Sequence, residues 1–373
     1  MNDRQSTQRL HYLDSARGLA AISVITFHFL FAVFGSQLKS QYSTLSHFFW
    51  YGEADVIFFF IHSGFILAYS YAGKDAKLSA KYYARFLIER IFRIYPLFLV
   101  VLLLSFIAIN STAPYLYAKG DAYVGLFWNH HPVWNDFLRE SLLVVRLPES
   151  ANLRLIPQDW TLTIELLAGA AVPLLAFSGK RNLFLFILLL AILKAGNFLS
   201  TYIFEFGLGV LLFLIRENIV NAWLKCNMLI RILFTVVAFL LYSCFFIFPS
   251  FFAGDIIFID SRIDRFIVAI GCMLLFVLLL SSPKVQRLLS FSFLVTIGKI
   301  CYSIYLLHQL LIFIFWRQLP SFFHSLSKEN PILIILVYLA YLSVVILLSK
   351  LFFKLVEQPM NKVGKRIARS IKL

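Results

Sequence analysis

Long apolar stretches recur along the whole chain, near residues 16–34, 54–71, 94–112, 160–178, 183–198, 200–215, 231–249, 264–281, 294–316 and 332–352. Each approaches the length that crosses a bilayer as a helix, and lipid offers no partner for an unpaired backbone N–H or C=O. The expected fold class is therefore all-α, a polytopic transmembrane helical bundle of about ten spans. Composition agrees: 60% of the residues are apolar, 14% are charged and the mean hydropathy is +0.82, far from the range of soluble domains. The net charge of +15 would suit nucleic acid. The bases, however, gather in short connections, Lys74–Arg93, Lys180–Arg181, Arg216–Arg231 and Lys284–Arg287, and in the tail Lys350–Lys372. That is the pattern of the positive-inside rule, so no nucleic acid is implied and both termini are expected to be cytoplasmic. Residues 1–373 read as one integral membrane domain with no appended soluble domain. The polar N-terminus precedes no cleavable signal, so the first helix is expected to stay as the anchor. Cys226, Cys244, Cys272 and Cys301 are scattered, with neither metal spacing nor a disulfide framework, and read as packing residues.

The segment LDSARGLAAISVITFH, Leu13 to His28, places two ionisable side chains in an apolar span. Lipid disfavours Arg and His at depth, so Arg17 and His28 are expected to face a bundle interior or a wet cavity and to carry a task. They are eleven positions apart, about three helical turns, which puts both on one face with roughly 16 Å of axial separation. Between them that face carries Ala21 and Val24, flanked by Gly18 and Ala20, small enough to admit a neighbouring helix or a narrow ligand. It reads as the wall of a pore, entered through a helix start capped by Asp14 or Ser15.

Other polar groups interrupt the spans. Arg90 and Arg93, in ERIFRIYP, lie three apart where an amphipathic inner segment meets the third span, and can form an anion clamp at a helix start; plain topology or contact with anionic membrane lipid also accounts for them. GEADVIFFFIHSGFILAYS carries Glu53 and Asp55 at an outer helix start and the pair Ser63-Gly64 at mid-span, where glycine permits close approach or a break. His62 is ambiguous. In QDWTLTIELLAG, Glu165 follows Trp160 within an apolar helix, and a buried carboxylate needs a partner, an imidazole or a guanidinium. In GKICYSIYLLH, Tyr302, Tyr305 and His308 step by three along one face and would line a polar channel. In VEQP, Glu357 lies beside basic residues just past the last span, where a surface salt bridge suffices. The long outer loop Ala113 to Pro157, with Tyr115, Tyr117, Trp128, His130, His131 and Trp134, suits either contact with a sugar or interfacial anchoring.

Taken in order, LDSARGLAAISVITFH, DVIFFFIHSGF, ERIFRIYP, WTLTIE, GKICYSIYLLH and VEQP resemble the motifs of the acyltransferase-3 family of integral membrane acyltransferases, over nearly the whole chain. Two departures stand out: His62 where the family often has leucine, and LeuLeuAlaGly after Glu165 in place of a second acidic residue and aromatics. The resemblance implies a bacterial-type inner-membrane, multi-pass O-acyltransferase. It would move an acyl group, commonly acetyl from cytoplasmic acetyl-CoA, to a hydroxyl of a carbohydrate such as lipopolysaccharide O-antigen or exopolysaccharide, free or lipid-linked. Acetyl-CoA would be a co-substrate, with no bound cofactor and no metal. Arg17, Arg90 and Arg93 would then meet the donor. Asp55, Ser63, Trp160, Tyr302, Tyr305 and His308 would line the pore or acceptor path, while His28, with Arg17 and Glu165, would carry the chemistry. A sugar hydroxyl must lose its proton as it attacks, and imidazole suits that role near neutral pH; a covalent acyl-imidazole is the less favoured variant. Two other classes compete: a lipid or oligosaccharide transporter, which lacks an inverted repeat, and a membrane glycosyltransferase using Glu53 or Asp55, which leaves Arg17 and His28 without a role.

Overall fold

The computed structural model describes residues 10–34, 52–72, 79–111, 127–128, 131–143, 154–195, 202–243, 262–318, 322, 325–326 and 331–371. Among the described residues the chain is helical with connecting turns, and contains no strand. The helices are α1 (His11–Phe34), α2 (Gly52–Ala72), α3 (Ala80–Ser111), α4 (Trp134–Ser141), α5 (Asp159–Phe177), α6 (Lys180–Ala195) and α7 (Ile203–Lys225). They continue with α8 (Met228–Tyr242), α9 (Arg262–Ser281), α10 (Pro283–Leu289), α11 (Ser292–Lys299), α12 (Cys301–Gln318), α13 (Pro331–Phe352) and α14 (Gln358–Ser370). Where they are described, the ten apolar stretches are helical, the ninth being divided between α11 and α12. Among the described residues five helices are long and apolar enough to cross a membrane, or up to seven if each of two bent pairs is one span.

The sides of these helices that face away from the bundle are apolar. Leu99, Leu103 and Ile107 on α3, Leu185, Leu188 and Ile192 on α6, Leu233, Val236 and Leu240 on α8, and Ile335, Leu336 and Leu339 on α13 are all exposed. A soluble fold would bury such rows, whereas a hydrocarbon surrounding makes them the favourable outer surface.

Inside, the buried apolar side chains form two clusters, and α1 belongs to both. Leu13, Ala16 and Ala20 join α2, α7 and α9, whereas Ala21, Ile25 and Phe29 join α3, α12 and α13. The chain's first span is therefore the seam of the bundle. Small residues let its neighbours approach. A Cβ on Gly18 would fall 2.7 Å from the backbone nitrogen of Gly298, so α11 lies directly on α1. The small face between Arg17 and His28 is thus packed against neighbouring helices, with Ala21 and Val24 buried. The helix also begins earlier than expected. It starts at His11, with Ser15 Oγ donating to the His11 carbonyl at 3.1 Å, so neither Asp14 nor Ser15 is its cap.

The Ser63-Gly64 pair leaves α2 unbroken and instead seats it on α7. Gly64 opposes the backbone of Phe206, and Gly209 opposes the backbone of Ile61 and Phe65, where an added Cβ would lie 2.7 Å from the Phe65 nitrogen. Backbone atoms cannot rotate out of the way. Gly209→Val is accordingly expected to cost more than the roughly 1–3 kcal/mol typical of overpacking, measured as loss of thermal stability in detergent. An unchanged melting temperature would contradict this helix crossing.

α9 turns by 90° into α10, and two further stretches differ from a plain rod. The ninth bends by 68° at Ile300, between α11 and α12, and the tenth passes through a π-helical turn, Phe353–Glu357, into the basic helix α14. Breaks at membrane depth are tolerated where protein or a cavity covers the freed backbone, and π-turns are often found at functional sites. Both irregularities converge on the same place.

Candidate active site

The break at Ile300 makes Cys301 the first residue of α12, and there α1, α2, α5 and α12 leave a cavity of about 50 Å³. Its lining includes Arg17 from α1, Phe59, Phe60 and Ser63 from α2, Thr161 and Glu165 from α5, and Cys301, Tyr302 and Tyr305 from α12. Such a volume holds a few waters or a small organic group. Five residues singled out in the sequence, Arg17, Ser63, Glu165, Tyr302 and Tyr305, are brought together from four distant segments.

Arg17 donates from Nε to the sulfur of Cys301 and lies within electrostatic reach of Glu165. Glu165 finds a guanidinium, as one of the two expected partners. Arg90 Nη2 donates to its backbone oxygen at 2.7 Å and stands 3.6 Å from its carboxylate. Gly169 makes this possible, because a Cβ there would run into the Arg90 guanidinium. The LeuLeuAlaGly departure thus supplies the space that Arg90 occupies. Arg93 and Arg17 are the cations that act on Glu357, whose carboxylate accepts from Ser303 Oγ at 2.8 Å.

Two expectations are corrected here. Arg90 and Arg93 do not sit at a helix start: α3 begins at Ala80, so no free backbone N–H groups or helix dipole support them at that point. Nor is Glu357 on the surface, since the π-turn carries it into the bundle, where it is buried against α12. Arg17, Arg90 and Arg93 thus share the region around Cys301 with Glu165 and Glu357, and Asp14 also acts on Arg17. Buried charges at this density persist only when they partner one another, and the guanidiniums suit an anionic group or a developing oxyanion.

The remaining candidates lie around this cavity. Tyr302 donates to the Ile94 carbonyl at 2.7 Å and fastens α12 to α3, while Tyr305 shares a 3.0 Å hydrogen bond with Thr161. Trp160 does not reach the cavity but packs behind it, edge-on to Phe60 at 6.5 Å and against Tyr202 at 5.4 Å. Asp55 is buried away from it and accepts from Tyr242 of α8 at 3.3 Å. His28 lies further along α1, with Gln309 Nε2 at 3.4 Å from its Nδ1 and the ring of His308 at 5.2 Å. Neither imidazole lines the cavity, but His308 stands between His28 and Tyr305, whose ring is 5.8 Å away. Arg17 and His28 thus both meet α12, one at its start and the other two turns on, as their shared face requires.

A family profile described as an acyltransferase domain matches residues 10–353. The chain belongs to the acyltransferase-3 family. Comparison with curated proteins and with solved structures gives no match. It is a membrane acyltransferase, and the transporter and glycosyltransferase alternatives give way to that reading.

In this acyltransferase several groups escaped sequence reasoning. Cys301, read as packing, faces the cavity beside Arg17. The bend that exposes it lies two residues after Gly298, the local signal that could have marked it. Lys194 and Glu205 form a fully buried ion pair between α6 and α7, with the ammonium also over the rings of Tyr202 and Phe204. Glu53, expected as a helix-terminal charge, also pairs with Arg265 at 2.8 Å. Both pairs flank Tyr202 and hold the α2, α6, α7 and α9 ends together. His62 Nε2 donates to the Leu13 carbonyl at 3.2 Å, tying α2 to the first turn of α1. Of the long outer loop, Trp128 is buried against Phe313 and donates to the Leu155 carbonyl, a packing role, while Trp134 is exposed on α4. Tyr115, Tyr117 and His130 of that loop, and Cys244, lie outside the described residues.

Proposed function

We propose that this acyltransferase moves an acyl group, acetyl foremost, from a cytoplasmic coenzyme A thioester to a hydroxyl of a cell-surface or periplasmic carbohydrate such as O-antigen or exopolysaccharide, across a bacterial-type inner membrane. The observation that carries this reading is the placement of Arg17 and His28 along one helix against α12. The first stands at a small cavity, and the second beside a further imidazole. A thioester carbonyl seated at Arg17 would have its developing oxyanion met by the guanidinium. Arg93 serves the donor's phosphates. Arg90, already engaged by α5, works with it chiefly by keeping Glu165 and the local field in place. His28 acts as general base. As the acceptor oxygen bonds to the acyl carbon, its proton passes to the imidazole, the C–S bond breaks, and the departing thiolate of coenzyme A is protonated in turn.

Ser63, Tyr302 and Tyr305 shape the acyl end, and His308 stands nearer the acceptor, whereas Trp160 supports the site from behind and Asp55 lies away from it. His28 lies outside the cavity lining, beyond Tyr305 and His308. Comparing surface polysaccharide from cells lacking this protein with that from cells restored with the wild type or with His28→Ala tests the reading. Ester-linked acyl groups are expected only with the wild type. Equal acyl content in all three would overturn the assignment.

A further inference from the structure

The cavity at Cys301 has a polar end and an apolar end, and the registers of its helices set the distance between them. At the polar end Arg17 meets Cys301 and acts on Glu165, while His62 ties the turn that carries Ser63 to the start of α1. At the other end Tyr305 shares its hydrogen bond with Thr161, and the ring of Phe59 stands edge-on to that of Tyr305 at 6.0 Å. Ser63 and Phe59 are four residues apart on α2, Glu165 and Thr161 four apart on α5, and Cys301 and Tyr305 four apart on α12. Three helices therefore each give one residue to either end, about 6 Å apart along their axes. Val56, Phe60 and Leu162 complete the far end in hydrocarbon.

Most of that far wall is anchored. The Thr161 hydroxyl donates to the Gln158 carbonyl at 2.8 Å, so the hydroxyl of Tyr305 donates to it in turn. The ring of Phe60 is held by Tyr202 at 4.8 Å and Phe206 at 5.4 Å. Phe59 is different: it is half-buried and packs against the edges of both buried clusters without belonging to the core of either. The whole space, about 50 Å³, has room for roughly three to five waters. A carbonyl placed at Arg17 leaves one helical turn, and little width, for the carbon chain behind it.

We propose that Phe59 is the specificity-determining residue of this acyltransferase, its ring closing the far end of the cavity so that acetyl fits and longer acyl groups do not. This rests on the reading of the cavity as the seat of the donor's acyl group, with the thioester carbonyl at Arg17. The methyl of an acetyl group then meets Phe59, Phe60 and Leu162, an apolar surface that a methyl group suits. Each further methylene has to displace a side chain from packed surroundings, which costs binding in the ground state and in the transition state alike. Truncation of Phe59 opens space beside Tyr305 and leaves Arg17, Glu165 and Cys301 untouched.

The test uses the purified full chain in detergent with acetyl-, propionyl- and butyryl-CoA as donors. Surface polysaccharide from cells lacking this protein is the acceptor, and coenzyme A thiol and new ester on the polysaccharide are read together. In the wild type each methylene beyond acetyl is expected to lower kcat/KM by about 10–200-fold, the discrimination of a fitted apolar pocket. Phe59→Ala should raise the butyryl-to-acetyl ratio by at least about tenfold, and Phe59→Leu by less. Because the ratio is read within one preparation, a smaller folded fraction cancels out of it, and the milder leucine variant answers the question should alanine fail to fold. Wild-type protein that transfers butyryl as fast as acetyl would overturn the proposal, and so would variants at Phe59 that keep the wild-type ratio. Wild-type protein that consumes none of the three thioesters would instead remove the donor reading, and this proposal with it.

Discussion

Replacing His28 with alanine is expected to lower acyl transfer by about 10²–10⁴-fold, the range lost with a general base, while leaving insertion and folding close to normal. The span stays strongly apolar without the imidazole, and α1 is seated by Gly18, Ala21, Ile25 and Phe29 rather than by His28. Binding of acetyl-CoA should persist, because the donor end of the site lies about three turns away at Arg17. Steady-state rates on purified protein, with donor binding measured separately, check both halves of this expectation. A well-folded variant with a near-normal rate would remove His28 from the chemistry.

Arg17→Ala should fail differently, losing rate and stability together. Arg17 is the side chain that joins the cavity, the Cys301 sulfur and the electrostatic neighbourhood of Glu165 and Glu357. Without it the two carboxylates share only Arg90 and Arg93. Breaking a buried charge set by removing one member costs about 3–5 kcal/mol. Part of Arg17 faces the cavity, so the lower end of that range applies. The rate should fall by about 10²–10³-fold, as for a lost oxyanion donor. Arg17→Lys keeps the charge without the planar donor fork, and is expected to recover stability before it recovers rate. Thermal unfolding and turnover measured side by side would show the split. Equal recovery of both by lysine would mean that Arg17 serves only the fold.

The shared face of Arg17 and His28 was legible in the sequence because helical period is a local property, and an apolar span makes each polar interruption conspicuous. So was the value of the small residues of α1, which admit the neighbouring helix α11 at Gly18. What the sequence withheld is long-range. Nothing near Glu165 indicates that Arg90 reaches it over Gly169, or that four segments close around a cavity between Ser63 and Tyr305. Glu357 was misjudged because its neighbours in the chain are basic and polar. A π-turn rotates it away from them onto Ser303, and a one-residue change in helical phase is invisible to a 3.6-residue pattern. Lys194 and Glu205 were missed because each looks like a stray end-of-helix charge until α6 and α7 are laid side by side.

The most direct measurement of the central claim is transfer by the purified wild-type protein in sealed vesicles, with acyl-labelled acetyl-CoA on the side of α14 and a polysaccharide acceptor on the other. The account predicts labelled acyl ester on the polysaccharide, free coenzyme A thiol appearing in equal amount on the donor side, and neither product with His28→Ala. An intact thioester in the presence of folded wild-type protein and acceptor, or label released at the same rate with His28→Ala, would contradict it.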